Sequence, residues 1–239
     1  MRSELRKLTV LPTPRWTAVV TVAAVMIAAL VVAISGAGED NLALLVGIGL
    51  PTWIASIVLG VWMSGLEYGQ KTMRRTLTRN PNRLAVVGDK LAVALLAGVG
   101  LTVLATAVAI PLFSLASSGH ELKVAAADTL DVGIGNLVNN IVYVVAGFSF
   151  GLVTRSMAGG MTAALAFFFV MDSLLTQIPV VGDYMLAAVS TEIFQGIVGN
   201  EIAGTDLEVN LARAIVVSVL WLAVFVGVST LRFVRTDVE

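Results

Sequence analysis

Six long apolar runs alternate with short polar segments along the chain. A membrane-spanning helix needs about 20 mostly apolar residues to cross a hydrocarbon core of about 30 Å, and each run has about that length. The runs are continuous, whereas the strands of a transmembrane barrel alternate between apolar and polar positions. The pattern therefore predicts an all-α polytopic membrane protein with six transmembrane helices. The predicted spans are 16–35, 42–66, 91–116, 136–154, 158–178 and 214–231.

The polar segments between the runs are too short for an appended soluble domain, so we expect a single transmembrane domain over 1–239. The two most informative segments are 67–90, between spans two and three, and 179–213, between spans five and six. No Gly-x-x-x-x-Gly-Lys-Ser/Thr motif occurs in the chain. We therefore expect no nucleotide-binding P-loop on it.

Composition supports the membrane interpretation and narrows the chemistry. Of the 239 residues, 57% are apolar and 13% are charged, whereas a soluble domain is nearer half apolar and a quarter charged. The chain has no cysteine, which excludes disulfides and thiolate metal sites. The single histidine, His120, leaves little room for metal chemistry. We expect neither a metal nor a cofactor on this chain, no catalytic residues of its own, and no nucleic-acid partner.

The positive charges are distributed unevenly between the predicted loops. Thirteen of the fifteen Lys and Arg residues precede span one, lie between spans two and three or four and five, or follow span six. Only Lys123 and Arg213 fall in the other loops. Because cytoplasmic loops of membrane proteins carry an excess of Lys and Arg, both termini are predicted to be cytoplasmic. The predicted location is the cytoplasmic (inner) membrane of the cell.

The segment 67–90 predicts a short basic helix. Met73 and Leu77 are four residues apart and share one helix face, with Lys71, Arg74 and Arg75 around it. An apolar stripe of this kind is able to fill a groove on a partner, while the arginines steer the helix to an acidic rim. The alternative is a solvated loop whose arginines only fix the orientation of the chain.

Local signals define where this short helix ends and the next begins. In Asn80-Pro81, the residue before the proline avoids the α region and the proline lacks an N–H, so the helix stops there. Asn82 is a suitable N-cap for the helix that enters span three. The prediction is a helix joined closely to both neighbouring spans.

This segment resembles the membrane subunit of type 2 ATP-binding-cassette (ABC) exporters. In that family the loop between spans two and three reads approximately Glu, Gly-x-Thr, Leu, Pro-x-Arg and then Lys at the start of span three. The spacing from glycine to threonine is one residue longer here. The matching positions are Glu67, Gly69, Thr72, Leu77, Pro81, Arg83 and Lys90.

The resemblance implies a transporter subunit that works with other chains. It would pair with a second permease subunit, either another copy or a paralogue, and two cytoplasmic ABC ATPase subunits would carry ATP and Mg. It also implies short helices within 179–213 that dip into the outer leaflet. The residues expected to couple to the ATPase are Glu67, Lys71, Thr72, Met73, Arg74, Arg75, Leu77 and Arg79.

A second candidate site consists of polar residues within spans four and five. Asp172 and Asn140 each lie 14 residues from the cytoplasmic end of their span, about 21 Å at the helical rise of 1.5 Å per residue. If these spans pack together, Asp172 meets Asn139, Asn140 and Tyr143. The group is either a substrate or proton site, or an interhelical clamp that satisfies polar side chains.

The motif Gly147-Phe148-Ser149-Phe150-Gly151 has two interpretations. Gly-x-Ser-x-Gly is typical of a serine nucleophile, but the only histidine, His120, falls in a loop after span three. We therefore expect Gly147 and Gly151 to form a close-packing helix face instead.

Two other functions stay open at this point. The chain would be an ion-coupled secondary transporter or channel if Asp172 binds or exchanges an ion. It would be a membrane scaffold or immunity protein if it has no transport cycle.

Overall fold

A computed structural model describes residues 2–35, 42–117, 126–199 and 209–235. His120 and Lys123, which entered the sequence predictions, lie outside the described residues. Every regular element in the described ranges is helical. The helices are α1 (Arg2–Val10), α2 (Pro12–Ser35), α3 (Leu42–Gly69), α4 (Met73–Arg79), α5 (Arg83–Ser117), α6 (Ala126–Thr154), α7 (Met157–Ala166), α8 (Leu186–Val198) and α9 (Leu211–Arg235).

Six of these helices are long and apolar enough to cross a membrane, which confirms the predicted all-α multi-pass class. They are α2, α3, α5, α6, α9 and the helix of the fifth span. That helix runs over Met157–Leu175 and includes α7, a π-helical turn at Phe167–Asp172 and a final turn at Ser173–Leu175. Several helices extend beyond the predicted apolar runs. α6 begins at Ala126, ten residues before the run at 136.

The centre of the bundle is the pair α3 and α6, the most buried of the six spanning helices. Glycines let these two backbones approach closely. A Cβ added at Gly147 would lie 2.5 Å from the carbonyl oxygen of Ile57, and one added at Gly60 would lie 2.6 Å from the backbone nitrogen of Phe148. A Cβ at Gly151 would likewise meet the Val61 carbonyl oxygen at 2.9 Å. The prediction of a close-packing face at Gly147 and Gly151 is confirmed.

The bundle has two ends that differ in charge. We call one the basic end: it contains α1, α4, the start of α5 and the last turns of α3, α6 and α9. Arg83 joins α5 to α9 there, because its Nη1 donates to the carbonyl oxygens of Phe233 at 3.2 Å and Val234 at 2.9 Å. The first and last described helices thus reach the same end. The other end, with the start of α6 and α9 and with α8, is called the opposite end.

The local signals around α4 act as the sequence predicts. α4 ends at Arg79, and Asn80 before Pro81 has extended backbone angles. The Asn82 side chain then caps α5 by accepting a hydrogen bond from the backbone nitrogen of Ala85 at 3.1 Å. α4 is therefore separated from α5 by only three residues.

Candidate functional site

The short helix α4 is packed into the protein's own core at the basic end. Met73 is only 2% exposed and belongs to an apolar cluster that includes Trp62 of α3 and Val87 of α5. Leu77 packs against the same cluster and is half-buried. The burial of Met73 contradicts the expectation that this residue fills a groove on a partner. For Leu77, which is half-buried, that expectation stays a prediction. The apolar stripe points inward because α3 and α5 provide the nearest apolar surface.

The basic face of α4 points away from the bundle. Arg74 and Arg75 are exposed, as is Lys71 in the turn before the helix. Thr72 is half-buried, and its carbonyl oxygen accepts a hydrogen bond from the backbone nitrogen of Thr76 at 3.1 Å. The side chain of Arg79 lies outside the described part of the structure.

The turn between α3 and α4 is tight and fully hydrogen-bonded. The backbone nitrogen of Thr72 donates to the carbonyl oxygen of Glu67 at 2.9 Å, and that of Lys71 donates to Tyr68 at 3.1 Å. Lys71 has a φ of 54°, in the left-handed region that non-glycine residues rarely adopt. These hydrogen bonds link the start of α4 directly to the end of α3.

Four charged side chains from three helices form a buried cluster behind α4. We call Glu4, Lys7, Glu67 and Lys90 the ionic cluster. The Nζ of Lys7 lies 2.8 Å from a carboxylate oxygen of Glu4 and 2.6 Å from one of Glu67. The Nζ of Lys90 lies 3.0 Å from the same Glu67 oxygen and 3.7 Å from Glu4. Glu67, predicted to contact the ATPase, thus faces inward and joins α3 to α1 and α5.

The electrostatics of the ionic cluster favour the charged form of Lys7 despite its partial burial. Lys90 is 1% exposed and Glu67 is 4% exposed, so either charge alone would be costly. Burial alone lowers the pKa of Lys7, but its hydrogen bonds to Glu4 and Glu67 outweigh this and hold its pKa above the usual value. The cluster contains two lysines and two glutamates, so its formal charges balance.

At the opposite end, Asp172 holds a helix in place. It ends the π-helical turn of the fifth span and is 1% exposed. Its two carboxylate oxygens accept hydrogen bonds from the backbone nitrogens of Leu186 at 3.0 Å and Ala187 at 2.7 Å. These are N–H groups of the first turn of α8, which lack intrahelical partners. Met185, the residue before α8, provides no side-chain cap, so Asp172 takes that role from another helix.

The other residues of the predicted polar cluster have different partners. Asn140 donates from Nδ2 to the hydroxyl of Thr102 on α5 at 2.7 Å. Tyr143 packs against the rings of Trp53 and Phe168, with centroid distances of 5.6 Å and 4.8 Å. The Oδ1 of Asn139 has no hydrogen-bond partner among the described residues.

The four residues therefore do not form one hydrogen-bonded site. The hydrogen bonds described for Asp172 instead go to α8 and to its own helix. The amide of Asn140 clamps α6 to α5.

A second carboxylate of the opposite end was not singled out from the sequence. Glu192 of α8 accepts a hydrogen bond from the backbone nitrogen of Asn210 at 2.5 Å and forms an ion pair with Arg213 at 2.8 Å. It thereby joins α8 to the start of α9. One feature of the sequence could have indicated this pair. Arg213 is one of only two basic residues in the loops predicted to be external, and the many carboxylates of those loops are available to pair with it.

Ser149 of the Gly-x-Ser-x-Gly motif is a buried helix residue. It is 2% exposed, and its hydroxyl donates to the carbonyl oxygen of Val145 in its own helix at 2.8 Å. This bond occupies the hydroxyl proton that a general base would have to remove. The geometry favours the packing role of the motif.

Comparisons with protein-family models, curated proteins and solved structures find no match to this chain.

Proposed function

We propose that this protein is the permease subunit of an ATP-driven ABC exporter. In this proposal it pairs with a second permease subunit, and two ATPase subunits that bind ATP and Mg dock at the basic end. The basic end faces the cytoplasm, in line with the bias of thirteen Lys and Arg residues to its segments. The chain itself contributes half of the translocation pathway.

The observation that carries this proposal is the two-sided nature of α4. Its inner side is fixed by Met73 in the apolar core, while its outer side presents Arg74 and Arg75. A loop that served only to orient the chain would need neither the buried anchor nor a fixed helix. A rigid basic helix is suited to bind an acidic partner surface, where complementary charge speeds and orients association.

The surroundings of α4 support transmission of force. A movement imposed on α4 would reach α3 through the tight turn at Lys71 and Thr72. It would reach α5 through the apolar cluster that contains both Met73 and Val87. The ionic cluster extends this connection, because Glu67 lies between Lys7 of α1 and Lys90 of α5. Three helices would therefore respond together to the partner.

A cleft of about 720 Å³ lies beside α4 and adds contact surface for a partner. α1 forms one wall of the cleft, and Thr76 and Asn80 of the α4 segment contribute to another. The cleft also contains Gln70 and Asp89. Its mixed apolar and polar lining is typical of the rim and core of a protein interface.

The alternative of an ion-coupled carrier receives no comparable support. Both carboxylate oxygens of Asp172 accept backbone hydrogen bonds from α8, which gives the residue a positioning role. We therefore assign Asp172 to the support of α8.

A pull-down from detergent-solubilised membranes of the native host tests the proposal. The double variant Arg74→Glu plus Arg75→Glu reverses the charge of α4, and Arg232→Glu plus Arg235→Glu makes the same change on α9 at the same end. We expect the wild type and the α9 variant to retain an ATPase subunit, and the α4 variant to lose it. Failure to recover any ATPase under mild cross-linking would contradict the proposal.

A further inference from the structure

Three asparagines share one buried face of α6 within the membrane-spanning part of the helix. Asn139 and Asn140 follow Asn136 after three and four residues, which places all three on the same side of the helix. They are at most 2% exposed. Asn136 lies seven residues after Thr129, where the spanning part of α6 begins, so it is about 10 Å from that point at 1.5 Å per residue. The face therefore lies inside the membrane, in the half of the bundle nearer the opposite end.

The side-chain amide of Asn136 has no hydrogen-bond partner among the described residues. Both its Oδ1 and its Nδ2 are buried and unpaired, so this holds whichever way the amide is turned. The Oδ1 atoms of Asn139 and Asn140 and the indole Nε1 of Trp53 also lack a partner in the described part of the chain. Burial of an amide or indole group is unfavourable unless the group is hydrogen-bonded, and the hydrocarbon core contains no bulk water to supply the bond. These atoms therefore need a partner.

The ring of Trp53 on α3 packs against the same part of α6. It stacks on Tyr143 with a centroid distance of 5.6 Å, and Tyr143 follows Asn136 after about two helical turns. A Cβ added at Gly49 would lie 3.1 Å from the Oδ1 of Asn136 and 3.3 Å from Cε2 of Trp53, the ring carbon bonded to Nε1. The unpaired groups of Asn136 and Trp53 are therefore close neighbours where α3 meets α6, with only the small Gly49 beside them.

The unpaired atoms include both hydrogen-bond donors and acceptors, and this selects the ligand. The indole Nε1 of Trp53 and the amide Nδ2 of Asn136 donate, whereas the amide Oδ1 atoms accept. A cation would be bound only by the oxygens and repelled by the N–H groups, and an anion would be bound only by the N–H groups. Water both donates and accepts, and buried water in proteins makes about three hydrogen bonds to polar groups that otherwise lack partners.

We infer that ordered water is bound between α3 and α6 at Asn136 and Trp53. The water accepts a hydrogen bond from the indole Nε1 of Trp53 and donates one to the Oδ1 of Asn136. It thereby joins two helices that are in direct backbone contact further along, at Gly147. The Oδ1 atoms of Asn139 and Asn140 extend the polar side of this site along α6. The inference depends only on the membrane-spanning fold, and it holds whether or not an ATPase docks on α4.

Water-edited solid-state NMR of the protein in lipid bilayers, with ¹⁵N in the tryptophan indoles, tests the inference. The probe is water itself, because magnetisation passes from water protons to the indole N–H groups beside them. Trp16, which is 66% exposed, is the positive control. We expect transfer to Trp53 as well, although its Nε1 is buried. Transfer to Trp16 without transfer to Trp53 would overturn the inference, since the indole would then bond directly to a protein group or to none.

A pair of glycine variants tests the position of the water. Gly49→Ala places a methyl group beside both the Oδ1 of Asn136 and the indole of Trp53, whereas a Cβ at Gly100 on α5 meets nothing within 4 Å. We expect Gly49→Ala to lose most of the transfer from water to Trp53, and Gly100→Ala to retain it. Equal transfer in the two variants would contradict bound water at this site.

A second pair of variants tests the role of the amide. Asn136→Leu removes the polar group, whereas Ser149→Ala removes a buried hydroxyl that bonds within α6 and lies away from the site. Transfer to Trp53 should be lost in Asn136→Leu and kept in Ser149→Ala, and transfer to Trp16 should be kept in both. Loss in both variants would show that the transfer depends on the general packing of α6, and it would overturn the inference. If Asn136→Leu does not fold, the glycine pair decides the question.

Discussion

The two ends of the bundle both contain buried carboxylates, but these carboxylates have different partners. At the basic end, Glu67 is paired with two ammonium groups, those of Lys7 and Lys90. At the opposite end, Asp172 accepts hydrogen bonds from backbone N–H groups at the start of α8. A charge pair ties side chains of separate helices, whereas a cap fixes the beginning of one helix.

This difference indicates different mechanical roles. The ionic cluster joins α1, α3 and α5, so several helices of the basic end depend on the same buried contacts. At the opposite end α8 is held by Asp172 and by the ion pair of Glu192 with Arg213, both of which act on this single helix. Loss of either contact would loosen one part of α8, whose buried side chains Leu186, Val189 and Ile193 remain packed in the core.

The largest expected effect comes from breaking the ionic cluster. Lys90→Met leaves Glu67 without one of its cations in a buried site, which should lower the free energy of unfolding by about 3–5 kcal/mol. Chemical denaturation in detergent micelles measures the change, with the exposed Arg75→Met as control. Adding Glu67→Leu to Lys90→Met should recover part of the loss. A change below 1 kcal/mol for Lys90→Met would refute the buried charge pair.

A smaller effect is expected at the opposite end. Asp172→Ala removes the acceptor for two N–H groups of α8, which we expect to lower stability by about 1.5–3 kcal/mol. Hydrogen exchange should increase over the first turn of α8 and remain unchanged in α4. Asp183→Ala, an exposed carboxylate nearby, serves as the control. An equal increase in hydrogen exchange in α4 and α8 would show that the two ends are not independent.

The central pair α3 and α6 connects the ends, so its disruption should affect both. Gly147→Ala pushes a methyl group towards the Ile57 carbonyl oxygen, and overpacking of this kind costs about 1–3 kcal/mol. Gly100→Ala is the matched control, because a Cβ there has no neighbour within 4 Å. Hydrogen exchange should increase in α4 and α8 together. No difference between the two variants would argue against close packing of the helices.

The smallest expected effect is a shift in pH dependence. The folded state raises the pKa of Lys7, so its charge stabilises the fold below its ordinary value of 10.5. This contribution is lost as the pH rises through the raised pKa. Lys7→Arg keeps its charge in that range, so the alkaline midpoint of unfolding should move to higher pH. Lys71→Arg, at an exposed position, should not move it.

Sequence patterns predicted the features that depend on neighbouring residues. The apolar runs identified all six spanning helices, Asn82 was recognised as an N-cap, and Gly147 with Gly151 as a packing face. Each of these follows from residues within about one or two helical turns. The predicted span 136–154 begins ten residues after the start of α6. The first turns of α6 contain polar residues such as Asp131, so they are helical but do not belong to the apolar run.

Features that depend on distant residues were not predictable in this way. Glu67 is 60 residues from Lys7, and their contact depends on how α1 packs against α3. The environment of Met73 also depends on distant residues. Its apolar side chain could have packed against a partner or against the core of its own chain, and the local sequence does not distinguish the two. The predicted contact of Asp172 with Asn140 used only their similar depth in the membrane. The direction in which each side chain leaves its helix was not considered, and the carboxylate of Asp172 faces α8.

The central claim is that an ATPase docks on α4, and a single introduced cysteine tests it most directly. The chain has no cysteine, so Arg75→Cys carries one reactive thiol, and Thr191→Cys places one on α8 at the opposite end. In native membranes, a thiol-to-amine cross-linker should join Arg75→Cys, and not Thr191→Cys, to a chain with a P-loop. Absence of such a chain, or its equal capture by both variants, would contradict the claim.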